Sequence, residues 1–161
     1  MTPGDGLVRP HAGGDRRHAA LSILLMELLD TSVWARQNHQ LINGWWRQQM
    51  LAGEIAICDQ IKLELLHSAR NQAEFRVKRA SIDTLPRCPT PTEAWTRIVD
   101  VYEMLAGVGP QHHRSVRHAD LIIAACAEAA GLTLVHYDDD FDAIANVTRQ
   151  PMRWIAPRGT L

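Results

Sequence analysis

The chain has 161 residues, 46% of them hydrophobic and 22% charged, with a formal net charge of −1. This composition fits one domain that buries a core without disulfide help and excludes a disordered chain; near-neutral charge excludes wholesale attraction to polyanions, so a nucleic acid would have to meet a local basic patch. Cys58, Cys88 and Cys126 form no close pair in sequence, which points to free thiols in a reducing, cytoplasmic compartment.

Residues 1–20 contain four glycines and two prolines without apolar periodicity, so 1–25 reads as a flexible extension, with Met26 an alternative start. The apolar run Ala19–Met26 imitates a secretion signal, but Glu27 interrupts it and no small-residue cleavage site follows before Asp30. No stretch approaches the roughly 18–20 apolar residues of a membrane span.

The folded domain is expected over 26–157, followed by a tail over 158–161. Glu27 to Asp30 is strand-like, and helical residues follow over Val33–Gln37 and Asn38–Leu51, stopped by Gly53. Glu54–Cys58 is a second strand; Asp59 is placed to cap a helix reaching about Arg70, and Asn71–Ile82 is another helix. Thr84–Arg87 suits a short strand among Pro86, Pro89 and Pro91; Thr92 is placed to cap a helix to Leu105, ended by Gly107, Gly109 and Pro110. A polar stretch rich in His and Arg leads to the helix of Asp120, closed by Gly131. The strand Leu132–His136, an acidic turn, a short helix and a last strand over Met152–Ile155 complete the pattern. Strands separated by helices predict a parallel sheet covered on both faces, with polar chemistry at the carboxyl ends of the strands.

Acids recur where that chemistry belongs. Asp30 ends the first strand and Asp138-Asp139-Asp140 follows a later one; Asp120 opens a helix that returns from the same end of the sheet. Singly, each has a plainer reading: Asp120 and the Asp138–Asp140 run as helix-start anions, Asp30 as an acceptor of backbone amides, Glu64 on the wet face of an amphipathic helix. Jointly, carboxylates in one cleft repel one another unless a cation binds, and hard oxygens without paired His or Cys favour Mg²⁺ or Mn²⁺ over zinc. An EF-hand is excluded: counted from Asp138, the sixth position is Ala143 and the twelfth Arg149.

Leu29-Asp30-Thr31-Ser32, Leu63-Glu64-Leu65-Leu66, Ala119-Asp120-Leu121-Ile122-Ile123-Ala124 and His136-Tyr137-Asp138-Asp139-Asp140-Phe141 resemble, in order, the motifs of PIN-domain ribonucleases, and in particular the VapC toxins of bacterial toxin–antitoxin pairs. The resemblance spans about residues 26–156. It implies an α/β, PIN-like three-layer fold with a central, mainly parallel sheet flanked by helices. It also implies metal-dependent endoribonuclease activity on RNA, a VapB-like antitoxin, a homodimer and a higher heteromer with that antitoxin. Carried over by position, Asp30, Glu64, Asp120 and Asp138 match the metal-binding, catalytic acids, Asp140 a further acid, and Ser32 a supporting hydroxyl. Asp139 stands where the family commonly has a basic residue, leaving the roles of Asp138, Asp139 and Asp140 to be divided.

Arg114 and Arg117, with His112, His113 and His118, read either as a basic rim that steers RNA toward the acids or as a solvated loop. His136, inside a strand, reads as a packed imidazole rather than a general base. Trp45 and Trp46 cannot both face one core direction. Beside the nuclease stand two other readings, a catalytically silent PIN-like module that binds RNA or protein, and a nuclease acting on DNA.

Overall fold

Four short runs pair into one parallel sheet: β1 (Glu27–Leu29), β2 (Ile55–Ala56), β3 (Thr133–His136) and β4 (Met152–Trp154), in the order β2-β1-β3-β4. The computed structural model describes residues 26–109 and 111–161, so the expected extension over 1–25 lies outside the described residues. Leu28 stands opposite both Ala56 and Leu134, and Val135 opposite Arg153. Neighbouring residues of a strand point to opposite faces. Because Leu28, Leu29, Leu134, Val135 and His136 are all at most 1% exposed, both faces of the sheet are covered, which makes the three layers of a parallel α/β fold.

The layers are α1 (Thr31–Trp34), α2 (Asn43–Ala52), α3 (Asp59–His67), α4 (Gln72–Ile82), α5 (Ala94–Val108), α6 (His112–Ser115), α7 (His118–Ala130) and α8 (Asp140–Thr148). α7 is the hub, packing against α5, α3, α8 and β3. Its sequence explains this: Leu121, Ile123, Ala124, Ala125, Cys126 and Ala127 are all buried, and the small side chains let neighbouring backbones come close. Phe141 and Ile144 of α8 are fully buried in the same core, each worth about 1.5–3 kcal/mol of apolar burial.

The chain runs from β1 to β2 on one side of it and then to β3 on the other, so the carboxyl ends of β1 and β3 flank a topological switch point. In open parallel sheets that crevice is where ligands sit. α7 leads into β3 and therefore begins at the same edge, with Gly131 ending it in the left-handed conformation at φ 66°.

Several expected elements differ. Over 36–42 the chain makes successive i→i−3 turns, through Arg36 to Val33, His39 to Arg36 and Ile42 to His39, so α2 starts at Asn43 rather than Asn38. The expected strand Thr84–Arg87 shrinks to one parallel bridge between Ile57 and Arg87, because Pro86 and Pro89 bring no amide donors to extend it. Neither Asp59 nor Thr92 caps its helix: Asp59 lies in the first turn of α3 and pairs at 2.7 Å with Arg87, and α5 begins at Ala94 after turns through Pro91 and Thr92. Asn71 does cap α4, its side chain accepting from the Glu74 amide. α5 also runs through Gly107, since one glycine weakens a helix without ending it.

The residues expected to form a tail fold back on the domain. Arg158 pairs with Asp139, and the Leu161 amide donates to the Tyr137 hydroxyl at 2.8 Å.

The two glycines make opposite predictions, because a Cβ at either meets no atom within 4 Å. Gly107→Ala is expected to raise the unfolding free energy by roughly 0.5–1 kcal/mol, and Gly131→Ala to lower it by about 1–2 kcal/mol through backbone strain alone. Chemical denaturation of both variants checks the pair of signs.

Candidate metal centre

Asp30 follows β1 as the N-cap of α1, with its Oδ2 accepting the Ser32 amide at 2.8 Å. The plain role of turn acceptor is therefore real, yet it leaves the carboxylate only 1% exposed at the switch point. Thr31 links it to the next acid: the Thr31 hydroxyl donates to Glu64 Oε2 at 2.7 Å and stands 3.5 Å from Asp30 Oδ1. Glu64 reaches this place from α3, where Gln60, one turn earlier, donates to its other oxygen at 2.8 Å.

Asp120 sits in the first turn of α7 and is 2% exposed. Arg117, the N-cap residue of that helix, donates from Nε to Asp120 Oδ2 at 2.9 Å and from Nη2 to Asp138 Oδ2 at 2.6 Å, with Asp140 Oδ2 at 3.8 Å. One guanidinium thus draws together acids from two helices and the turn after β3. The other oxygen of Asp138 accepts the Asp140 amide at 3.1 Å, so Asp138 both holds the turn before α8 and faces the cluster. Asp139 turns outward to Arg158. The turn before α8 divides the three consecutive acids: Asp138 and Asp140 face Arg117, and Asp139 does not.

The two halves of the cluster feel one another. Burial raises the pKa of Asp30, with the Glu64 charge adding to it, while the Ser32 side chain and backbone oppose the rise. Burial also pushes Asp120 up to about 7, aided by Asp30 and Asp138 and opposed by Arg117. Positive charge is therefore in short supply. The donors here are carboxylate oxygens, whereas the cysteines gather elsewhere, Cys88 and Thr90 bonding to Cys126 inside the core. Oxygen donors, buried and undercompensated, are the chemistry a hard divalent ion takes. Among the described residues, no three His, Cys, Asp or Glu side chains are grouped so as to hold a metal ion as they stand.

Ser32 points its hydroxyl at the neighbouring strand end, accepting from the Tyr137 amide at 2.9 Å. Arg114 is exposed on α6, and His113 and His118 pack edge-on to Tyr102. Arg117, read from sequence as part of that rim, has its guanidinium among the acids instead of facing only solvent. His136 is buried against Phe141 and Trp154, and burial lowers its pKa. Trp46 is buried and packs edge-on to Trp34, while Trp45 stays half-exposed under Arg153. Thr31 and Gln60 were missed in the sequence; the signals were a hydroxyl directly after Asp30 and an amide one helical turn before Glu64.

A model of the PIN domain matches residues 28–147. Ribonuclease VapC18 of Mycobacterium tuberculosis is 41% identical over 133 residues, covering 83% of this chain and 97% of that protein. Ribonuclease VapC21 of the same species is 38% identical over 134 residues, covering 83% and 96%. Among solved structures, VapBC-5 of Mycobacterium tuberculosis, a toxin–antitoxin system, aligns with a TM-score of 0.56 at 23% identity over 81% of this chain and 98% of that one. VapBC2 of Rickettsia felis, bound to a promoter DNA fragment, gives a TM-score of 0.56 at 16% identity over 80% and 98%. At those identities the two structures speak for the fold alone.

Asp120 makes stability depend on pH. An unfolded Asp releases its proton near 3.8 and the folded one near 7, so the native state binds more protons between those values and loses stability as pH rises through them. In chelator-treated protein the thermal midpoint of wild type minus that of Asp120→Asn is expected to be higher at pH 5.5 than at pH 8, a difference in which the opposite contribution of buried His136 cancels. A difference that rises over that interval would contradict the assignment.

Proposed function

The chain belongs to the PIN-domain family, and on that premise we propose that it is an endoribonuclease toxin of the VapC kind, which hydrolyses phosphodiester bonds of RNA and is held in check by a VapB-like antitoxin. The observation that carries this reading is the burial of Asp30 and Asp120 at the sheet's switch point, with Glu64, Asp138 and Asp140 beside them. The ribonuclease names of relatives with 41% and 38% identity support the reaction, and the likeness in fold to a VapBC toxin–antitoxin structure supports the antitoxin partner.

Asp30, Asp120 and Asp138, with Glu64 and Asp140 alongside, would hold Mg²⁺ or Mn²⁺, which when bound lowers the pKa of water and stabilises charge building up on a phosphate. The chain's own groups prepare that site. The Ser32 amide fixes Asp30, and Thr31 and Gln60 hold both oxygens of Glu64. Ser32 joins the ends of β1 and β3, keeping the acids after those strands in register. His136 takes no part in proton transfer, being buried and held neutral. Arg114, exposed beside the start of α7, meets RNA phosphates. No described helix is long and apolar enough to cross a membrane. Under the same proposal the chain is a cytoplasmic homodimer that joins a larger heteromer with its antitoxin.

Purified chain is expected to cut an RNA hairpin, and not the matched DNA hairpin, in Mg²⁺ or Mn²⁺. Chelation is expected to stop cleavage, and Asp30→Ala and Asp120→Ala to slow it by at least about 100-fold, since even residues that merely support metal ligands cost 10–100-fold. Undiminished cutting by both variants would end the assignment. RNA binding without any cutting would identify the silent module instead, and cutting of DNA alone the other nuclease.

A further inference from the structure

We propose that Arg117 is a built-in counter-cation of the acid cluster, which a divalent ion displaces from Asp120 and Asp138, so that this side chain sets the metal affinity of the site. The inference rests on the metal reading given above and adds the residue that opposes it.

Both cations require the same atoms. Arg117 occupies Asp120 Oδ2 at 2.9 Å and Asp138 Oδ2 at 2.6 Å, and it also faces Asp140. As they stand, no three acids among the described residues are grouped to hold an ion, so a metal must draw the carboxylates toward itself as well as displace Arg117. Removing it without replacement would strand the Asp120 carboxylate, whose side chain is only 3% exposed, and an uncompensated buried charge is strongly destabilising. Arg117 therefore stays until another cation arrives.

Its exit is mechanically easy. Arg117 is the N-cap residue, with extended backbone at φ −71° and ψ 144°, and it makes no side-chain capping bond. Its side chain is 60% exposed, whereas the acids it holds are 3%, 29% and 24% exposed. Rotation about its side-chain bonds frees the carboxylates without moving α7. By linkage, whatever Arg117 contributes to the metal-free chain is subtracted from the free energy of metal binding. Two charge-assisted bonds, partly screened by solvent, correspond to about a tenfold weakening.

The test is Mn²⁺ titration calorimetry on the full chain, alongside thermal unfolding in chelator, for wild type, Arg117→Met and Arg117→Lys. Arg117→Met is expected to unfold at a lower temperature without metal yet bind Mn²⁺ about tenfold more tightly. Arg117→Lys keeps the charge but lacks the fork that bridges two carboxylates, so its affinity is expected to fall between the two. The sign separates this role from a merely structural one, because a damaged site binds metal more weakly. If Arg117→Met fails to fold, Arg117→Lys decides. Wild type that binds Mn²⁺ with variants that bind no more tightly would overturn this proposal alone. Wild type that takes up no Mn²⁺ would overturn the metal reading and this proposal together.

Discussion

Two carboxylates taken out of water at one edge of the sheet, Asp30 and Asp120, are the constraint around which this molecule is arranged. A buried carboxylate with no partner is expensive, and each one here has a different solution. Asp30 is satisfied by the backbone, through the amide of Ser32. Asp120 has a side-chain partner, the largely exposed Arg117. A backbone amide cannot leave, but an arginine can. That difference separates a fixed half of the site from an adjustable half.

Packing and chemistry are joined in α7. The apolar face that makes it the centre of the core also fixes where its first turn emerges, beside the carboxyl ends of β1 and β3. Asp120 is therefore positioned by the buried leucine, isoleucine and alanines that follow it along α7 rather than by a loop. β1 and β3 are adjacent and in register, and the Ser32 hydroxyl takes the Tyr137 amide just past their ends, so the acids that follow the two strands are held at a common depth. Sites carried on rigid elements keep their geometry better than sites on loops.

The acidic turn after β3 sorts identical side chains. Asp138 accepts the Asp140 amide and Arg117, Asp140 lies two residues on with its carboxylate toward the same guanidinium, and Asp139 is left facing Arg158. Three adjacent aspartates thus acquire two destinations. The C-terminal residues take part as well, with Arg158 and Leu161 folded onto Asp139 and Tyr137.

Much of this was legible in the chain itself. Asp30, Asp120 and Asp138 were recognisable because strand-like and helical periodicities placed each at an element's end, and the alternation of strands with helices implied that those ends share one edge of a parallel sheet. Gly131 as the end of α7 followed from local backbone preference alone. Local pattern failed where the outcome turned on a distant partner. Thr84–Arg87 had strand-like residues but met its neighbour at a single bridge among prolines, and Asp59 had a capping residue's chemistry but found Arg87 instead. Glu64 looked like one wet-face acid until the fold brought Thr31, 33 positions away in sequence, against it. Arg117 is the sharpest case: its sequence neighbourhood is basic and polar, which suggests an outward rim, while its guanidinium is claimed by Asp138, 21 positions further on. Periodicity and capping act over one or two helical turns and are written in the chain, whereas the pairing of charges depends on which side chains the packed sheet sets face to face.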